Sequence, residues 1–226
     1  MAFEIGLPDQ MGRTVNIQVD RPPDTCPICH RSIEAKFVSG GFWLRENERF
    51  QATFQCVSLA CRNLFLATYH CSTATNGNWK LGTIEPTRPR SIYVPQEVAN
   101  ISPDFVRVRE QVEAAETNGL DQLVGIGLRK ALEFLIKDFA ISEHKEKAEE
   151  IKKQWLAKCI ELYIPDEQVK QCAKRATWLG NDQAHYIKKW GDKDVKDLKT
   201  LVTLTVNWIH NHIVTNQFVG DMPEKL

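Results

Sequence analysis

The sequence predicts an α+β protein with its two kinds of element segregated: a small β-rich module, then an all-α bundle of five helices. Three observations carry this. Residues 1–85 read as short alternating runs broken by turn formers, and they hold four cysteines in two close pairs. Pro86, Pro89, Pro95 and Pro103 then fall within 18 residues, a stretch expected to hold neither a helix nor a central strand. Beyond Pro103 the apolar residues recur at helical spacing. The expected division is therefore 1–85 for the β module, 86–101 for a proline-rich linker and 102–226 for the helical domain.

In the first part, Thr14–Val19 and Arg49–Gln55 alternate as half-buried strands do, and the mostly apolar run Leu64–Tyr69 is strand-like. Gly40-Gly41 and Asn76-Gly77-Asn78 are expected to be turns, since they tolerate positive φ. In the second part, Ser102-Pro103 opens a first helix that Asn118-Gly119 stops. A second, Asp121 to about Ala140, carries Leu123, Val124, Leu128, Ala131, Leu132, Leu135, Ile136 and Phe139 as a wide apolar stripe. A charged third helix is expected from Ser142 to Tyr163, ending at Pro165. Asp166 caps a fourth, from Glu167 to about Leu179, stopped by Gly180-Asn181. The fifth runs from Asp194 to about Thr215, with Val195, Leu198, Val202, Val206, Ile209 and Ile213 on one side.

Composition narrows the function classes. The chain is 42% apolar and 26% charged, with 29 Lys plus Arg against 29 Asp plus Glu. That balance excludes disordered and collagen-like classes, and a protein that coats nucleic acid by bulk charge. The N-terminus shows no secretory pattern. Thr200 to Gly220 lacks charged residues but carries Asn207, His210, Asn211, His212, Asn216 and Gln217, too polar for a lipid-facing span. The expected protein is cytoplasmic and does not engage a membrane.

Seven cysteines, an odd number without a visible signal peptide, do not suggest a disulfide framework. Cys26-Pro-Ile-Cys29 and Cys56-Val-Ser-Leu-Ala-Cys61 suit a metal instead. A Cys-x-x-Cys turn places two thiolates about 3.5–4 Å apart, both reaching one metal, and a second pair on a neighbouring turn completes the tetrahedral sulfur set that zinc prefers. The pattern resembles a zinc ribbon with a structural Zn2+, which would supply much of the folding free energy of so small a module. Cys26-Pro-Ile-Cys29-His30 also fits haem attachment, which needs export, and a thioredoxin-like pair needs a βαβ context that is missing. His70 or Cys71 could replace one ligand; packed strand residues are the simpler reading. Cys159 and Cys172 read as buried helix thiols. Phe42, Trp43, Arg45 and Arg49 lie near the central turn, yet residues 1–100 sum to only +1, which is no electrostatic funnel.

Two places in the helical part carry a resemblance. Leu128-Arg129-Lys-Ala-Leu132-Glu133 looks like an Arg-x-x-Leu-Glu helix, and Leu179-Gly180-Asn181-Asp-Gln-Ala184-His185 looks like a Gly-Asn-x-x-Ala-His signature. On these, Ser102 to Phe218 resembles the HEPN-like superfamily, within it the domain-of-unknown-function family 4145. The resemblance implies a phage-defence, toxin or restriction setting, a homodimer, RNA as substrate and a defence-system protein as partner. Its catalytic members are metal-independent ribonucleases with four to six residues between an arginine and a following histidine. Carried over, His185 is the histidine and Asn181 the polar residue before it. Imidazole titrates near neutrality and can move the proton of a 2′-hydroxyl, while a guanidinium can hold the phosphate as charge builds. Arg175 stands ten positions before that histidine, with nine residues between them rather than four to six; Arg129, Lys188 and Lys189 are the other candidate cations. Arg129 and Glu133 also form an i,i+4 pair, which on many helices only fixes packing.

Two readings follow. In the first, His185 and a nearby arginine from one or two chains cleave RNA, and Arg175 or Arg129 is expected within a few ångströms of the imidazole in the monomer or dimer. In the second, the ribbon recruits a nucleic acid or protein and the helices dimerise, with Trp208, Ile209, Ile213 and Phe218 as interface or as ordinary core. No phosphate loop, His-Glu-x-x-His or nucleophile-elbow motif points to another hydrolase.

Overall fold

The computed structural model describes residues 3–9, 11–42, 49–71, 78–187 and 189–222. Trp43, Arg45, the Asn76-Gly77 turn and Lys188 lie outside the described residues. The chain divides into two compact units, 1–90 and 91–226.

The first unit holds a hairpin of β1 (Phe3–Pro8) and β2 (Thr14–Val19), and a four-stranded antiparallel meander of β3 (Lys36–Phe42), β4 (Arg49–Gln55), β5 (Leu64–His70) and β6 (Lys80–Glu85). Its core follows from the two-residue period of a strand. Phe50, Ala52 and Phe54 on β4 are buried, and register pairs them with Tyr69, Ala67 and Phe65 on β5. Phe50 stacks on Tyr69 with ring centroids 4.8 Å apart. The same alternation carried one step past β4 buries Cys56. Gly40-Gly41 is strand rather than turn. A Cβ on Gly40 would sit 2.6 Å from Leu7 Cδ2 and 2.7 Å from the Gln51 carbonyl oxygen, so the glycine is there to let β1 lie close over β3.

The second unit has seven helices among the described residues, two more than the sequence predicts: α1 (Gln96–Ile101), α2 (Pro103–Thr117), α3 (Asp121–Glu143), α4 (Ala148–Lys153), α5 (Leu156–Tyr163), α6 (Glu167–Asp182) and α7 (Val195–Asp221). The extra α1 occupies the stretch expected to be linker. Pro95 sits at its N-cap and Pro103 follows its end, so neither ring interrupts the six residues between them. The predicted third helix is broken at Gln154-Trp155, both extended. Ile151 is the one buried residue of α4, and burial resumes five residues later with Leu156, Cys159 and Ile160. A step of five does not keep one helix face on the core, so the chain resets its phase.

α3 runs through the middle of this unit, packed by α2, α5, α6 and α7, with Leu128, Leu132, Leu135, Ile136 and Phe139 fully buried. Leu123, counted in the predicted stripe, is exposed. α6 begins at Asp166, whose side chain accepts from the Val169 amide at 3.0 Å, and α7 opens with an Asp194–Asp197 capping box. Trp208, Ile209 and Ile213 are core or pack on it, while Phe218 is exposed. None of the described helices is long and apolar enough to cross a membrane.

Candidate functional site

Two constellations of chemically capable side chains stand out, one in each unit. In the first, Cys26 and Cys29 lie on the turn between β2 and β3, and Cys56 and Cys61 on the turn between β4 and β5. The two turns are built alike. Each second cysteine is followed by a residue with positive φ, His30 at 58° and Arg62 at 55°, which curls the chain back. In the first turn the Ile28 amide donates to Cys26 Sγ at 3.4 Å. In the second, the Asn63 side-chain amide donates to Cys61 Sγ at 3.3 Å.

The four ligand atoms lie within 4.8 Å of one another, with Cys26–Cys61 at 3.9 Å and Cys29–Cys56 at 3.8 Å. All four thiols are free. A tetrahedral ion with metal–sulfur bonds of about 2.3 Å separates its ligands by about 3.8 Å, so this set could hold a metal ion such as zinc. Burial raises the Cys26 thiol and pushes Cys56 up to about 12, whereas the Asn63 hydrogen bonds bring Cys61 down to about 6. A cation binding at such buried thiols would take the sulfur lone pair and displace the proton to solvent, stabilising the thiolate that burial alone disfavours. His70 and Cys71 are not part of the cluster. The His70 ring lies against Gly82, where a Cβ would come within 2.5 Å of it.

In the second unit, α3 and α6 bring together residues 52 positions apart: Arg129 Nε donates to Asn181 Oδ1 at 3.0 Å. Gly180 makes this approach possible. It lies inside α6, which runs on to Asp182 instead of stopping at Gly180-Asn181, and a Cβ there would meet Arg129 Cβ at 2.6 Å. Arg129 Nη1 also reaches Glu133 Oε2 at 3.3 Å, and Lys137 Nζ reaches Glu133 Oε1 at 2.9 Å. Burial alone would raise the Glu133 carboxyl, but Lys137 and Arg129 outweigh it and hold it below the usual value.

His185 is exposed on the loop between α6 and α7. With Asn181, Asp182, Lys189, Trp178 and Trp190 it lines a hollow of about 400 Å³. Arg175 does not join them. Its Nη1 donates to the Gln171 carbonyl at 3.1 Å and to Gln171 Oε1 at 2.7 Å, its guanidinium lies 6.0 Å from the Trp178 ring, and it lines a separate hollow of about 270 Å³. No hydrogen bond or ion pair joins His185 to an arginine among the described residues.

Sequence reading missed Asp182, Trp178 and Trp190. Asp182 is 4% exposed, and its two carboxylate oxygens accept from the backbone N–H groups of Lys189 at 2.8 Å and Trp190 at 3.0 Å. The signal for the tryptophans was present: two of them twelve positions apart, flanking the Asn181–His185 motif in polar surroundings where no core stripe claims them.

Comparison with models of protein families, with curated proteins and with solved structures gave no match for this chain.

Proposed function

We propose that the helical unit is a HEPN-like, RNA-handling domain acting in a prokaryotic defence, toxin or restriction system, and that the first unit is a zinc ribbon holding one structural Zn2+. The observation that carries the reading is the 3.0 Å bond from Arg129 to Asn181, which ties the two resembling motifs to one point at the α3–α6 crossing. Asn181 and His185 share the wall of one hollow, so an imidazole and a guanidinium flank the same polar residue. In metal-independent cleavage, His185 takes the proton of a 2′-hydroxyl and the 2′-oxygen attacks phosphorus. The bond to the 5′-oxygen of the next nucleotide then breaks, and that oxygen takes a proton from the His185 imidazolium, directly or through water, leaving a 2′,3′-cyclic phosphate, a 5′-hydroxyl and neutral His185. Arg129, or an arginine of a second copy of the chain, stabilises the charge gathering on the phosphate.

A second reading, a binding and dimerisation domain without catalysis, is favoured by one specific feature: the Arg129 guanidinium already serves Asn181 and Glu133. Labelled single-stranded RNA and tRNA, incubated with purified protein in EDTA while zinc content is monitored, separate the two. Cleavage by wild type that falls at least 100-fold in His185→Ala, with unchanged circular dichroism, is the expected result; no cleavage by either protein rejects the ribonuclease.

A further inference from the structure

The two tryptophans missed in the sequence are the least explained large apolar groups near His185. Trp178 is 45% exposed and Trp190 43%. Their rings are 2° from parallel with centroids 6.4 Å apart. The buried Phe50–Tyr69 pair, at 4.8 Å, shows what close contact stacking looks like in this protein. At 6.4 Å, parallel rings either overlap only at their margins or stand apart by more than one ring thickness. Both arrangements leave flat aromatic faces unused.

Trp190 is also not held in place by ring packing alone. Asp182 grips the backbone amides of residues 189 and 190, so the indole is positioned from the main chain outward. Trp178 is braced by the Arg175 guanidinium, itself tied to Gln171. Both hollows in this region are walled by the same two indoles. Arg175 and Lys193 line one and Lys189 the other, bringing three cations to the rim. The two carboxylates present are engaged by backbone donors: Asp182 as above, and Asp197, whose side chain accepts from the Asp194 amide in the capping box. Preset, parallel, half-exposed indoles ringed by cations match a flat heterocycle attached to a phosphate.

We propose that Trp178 and Trp190 form a stacking seat for an unpaired base of single-stranded RNA, with Lys189, Lys193 and Arg175 receiving the flanking phosphates. This deepens the RNA-handling reading by naming the feature gripped. In a duplex the base faces are covered by the base pairs stacked above and below, so duplex RNA is excluded.

The test is fluorescence anisotropy of a labelled 12-nucleotide RNA, single-stranded and as its duplex, with the full-length protein between 50 and 200 mM salt. Base–aromatic stacking sets the expected loss for Trp190→Ala at roughly 5- to 150-fold, with Trp190→Phe keeping most of the affinity. Lys193→Ala is expected to weaken binding and to lower the slope of log K against log salt by about 1. Wild-type protein that ignores single-stranded RNA or binds the duplex equally well, or a folded Trp190→Ala variant of wild-type affinity, overturns the seat. Failure of the cleavage reading looks different. Tryptophan-dependent binding without cleavage keeps the seat and removes the His185 chemistry. Cleavage with tryptophan-independent affinity does the reverse.

Discussion

The two units solve the same problem with different means. Among its described residues the helical unit buries 23 apolar side chains in one continuous cluster around α3. Among its described residues the β unit buries 12, of which two, Cys26 and Cys56, belong to the thiol cluster. Its two cysteine turns meet at the end of a sheet whose own pairings stop at Cys56. Where burial is scarce, four thiols placed so that they could hold one ion offer a substitute for it. The difference teaches that stability here is modular: one unit should respond to chelators and thiol chemistry, the other to helix packing.

The largest effect that would break this comparison is metal loss. Cys56→Ser, or exhaustive chelation of the wild type, is expected to unfold the β unit outright, because apparent zinc binding energies of about 10–16 kcal/mol are folding energies in such sites. Zinc by elemental analysis should fall to near zero from one ion per chain. Far-ultraviolet circular dichroism at 222 nm should stay nearly unchanged, since the helices are elsewhere. Loss of the helical signal with the zinc would show that the units are not independent.

A smaller effect sharpens the helical side. Gly180→Ala relieves the propensity cost of a helical glycine, worth about 1 kcal/mol, but its methyl would drive into the Arg129 stem at 2.6 Å. Overpacking costs typically about 1–3 kcal/mol, so the net expectation is a loss of about 1 kcal/mol, read as a lower thermal midpoint with zinc content intact. A rise in the midpoint would mean that α3 and α6 yield freely at this crossing.

The smallest effect is electrostatic. Glu133 is held below its ordinary value in the folded chain, so it contributes stability above the unfolded carboxylate value and loses it as pH falls through the folded one. Glu133→Gln is expected to lower stability modestly at neutral pH, where the charged carboxylate serves Lys137 and Arg129, and to flatten the acid limb of a stability–pH profile below about pH 4.3, where the two proteins converge. An unchanged acid limb would assign the low-pH loss to other carboxylates.

What could be read from the sequence depended on whether a residue's role was local. β2, β4 and β5 were legible because strand alternation is written along the chain, and the cysteine pairs because both turns place their thiols by local geometry. β3 was hidden by Gly40, which reads as a turn until Leu7 is known to lie over it. α1 was hidden by prolines that bound it rather than break it. Gly180 read as a helix stop for the same reason: its purpose is Arg129, 51 positions away. Within the candidate site, Asn181 and His185 were legible as a motif, but Arg129's hydrogen bond to Asn181 was not, because it joins residues 52 positions apart on two helices. Arg175 was drawn to His185 by nearness in sequence, although its helix neighbour Gln171 takes its hydrogen bonds.

The Asp182 clasp has a consequence for how this region can change over time. It reads main-chain amides, which nineteen of the twenty amino acids present in the same way, so the side chains at positions 189 and 190 are free to drift while the loop's path is preserved. Proline alone is barred from either position, because it has no N–H to offer. The ring at position 190 can therefore be exchanged without rebuilding the loop that presents it.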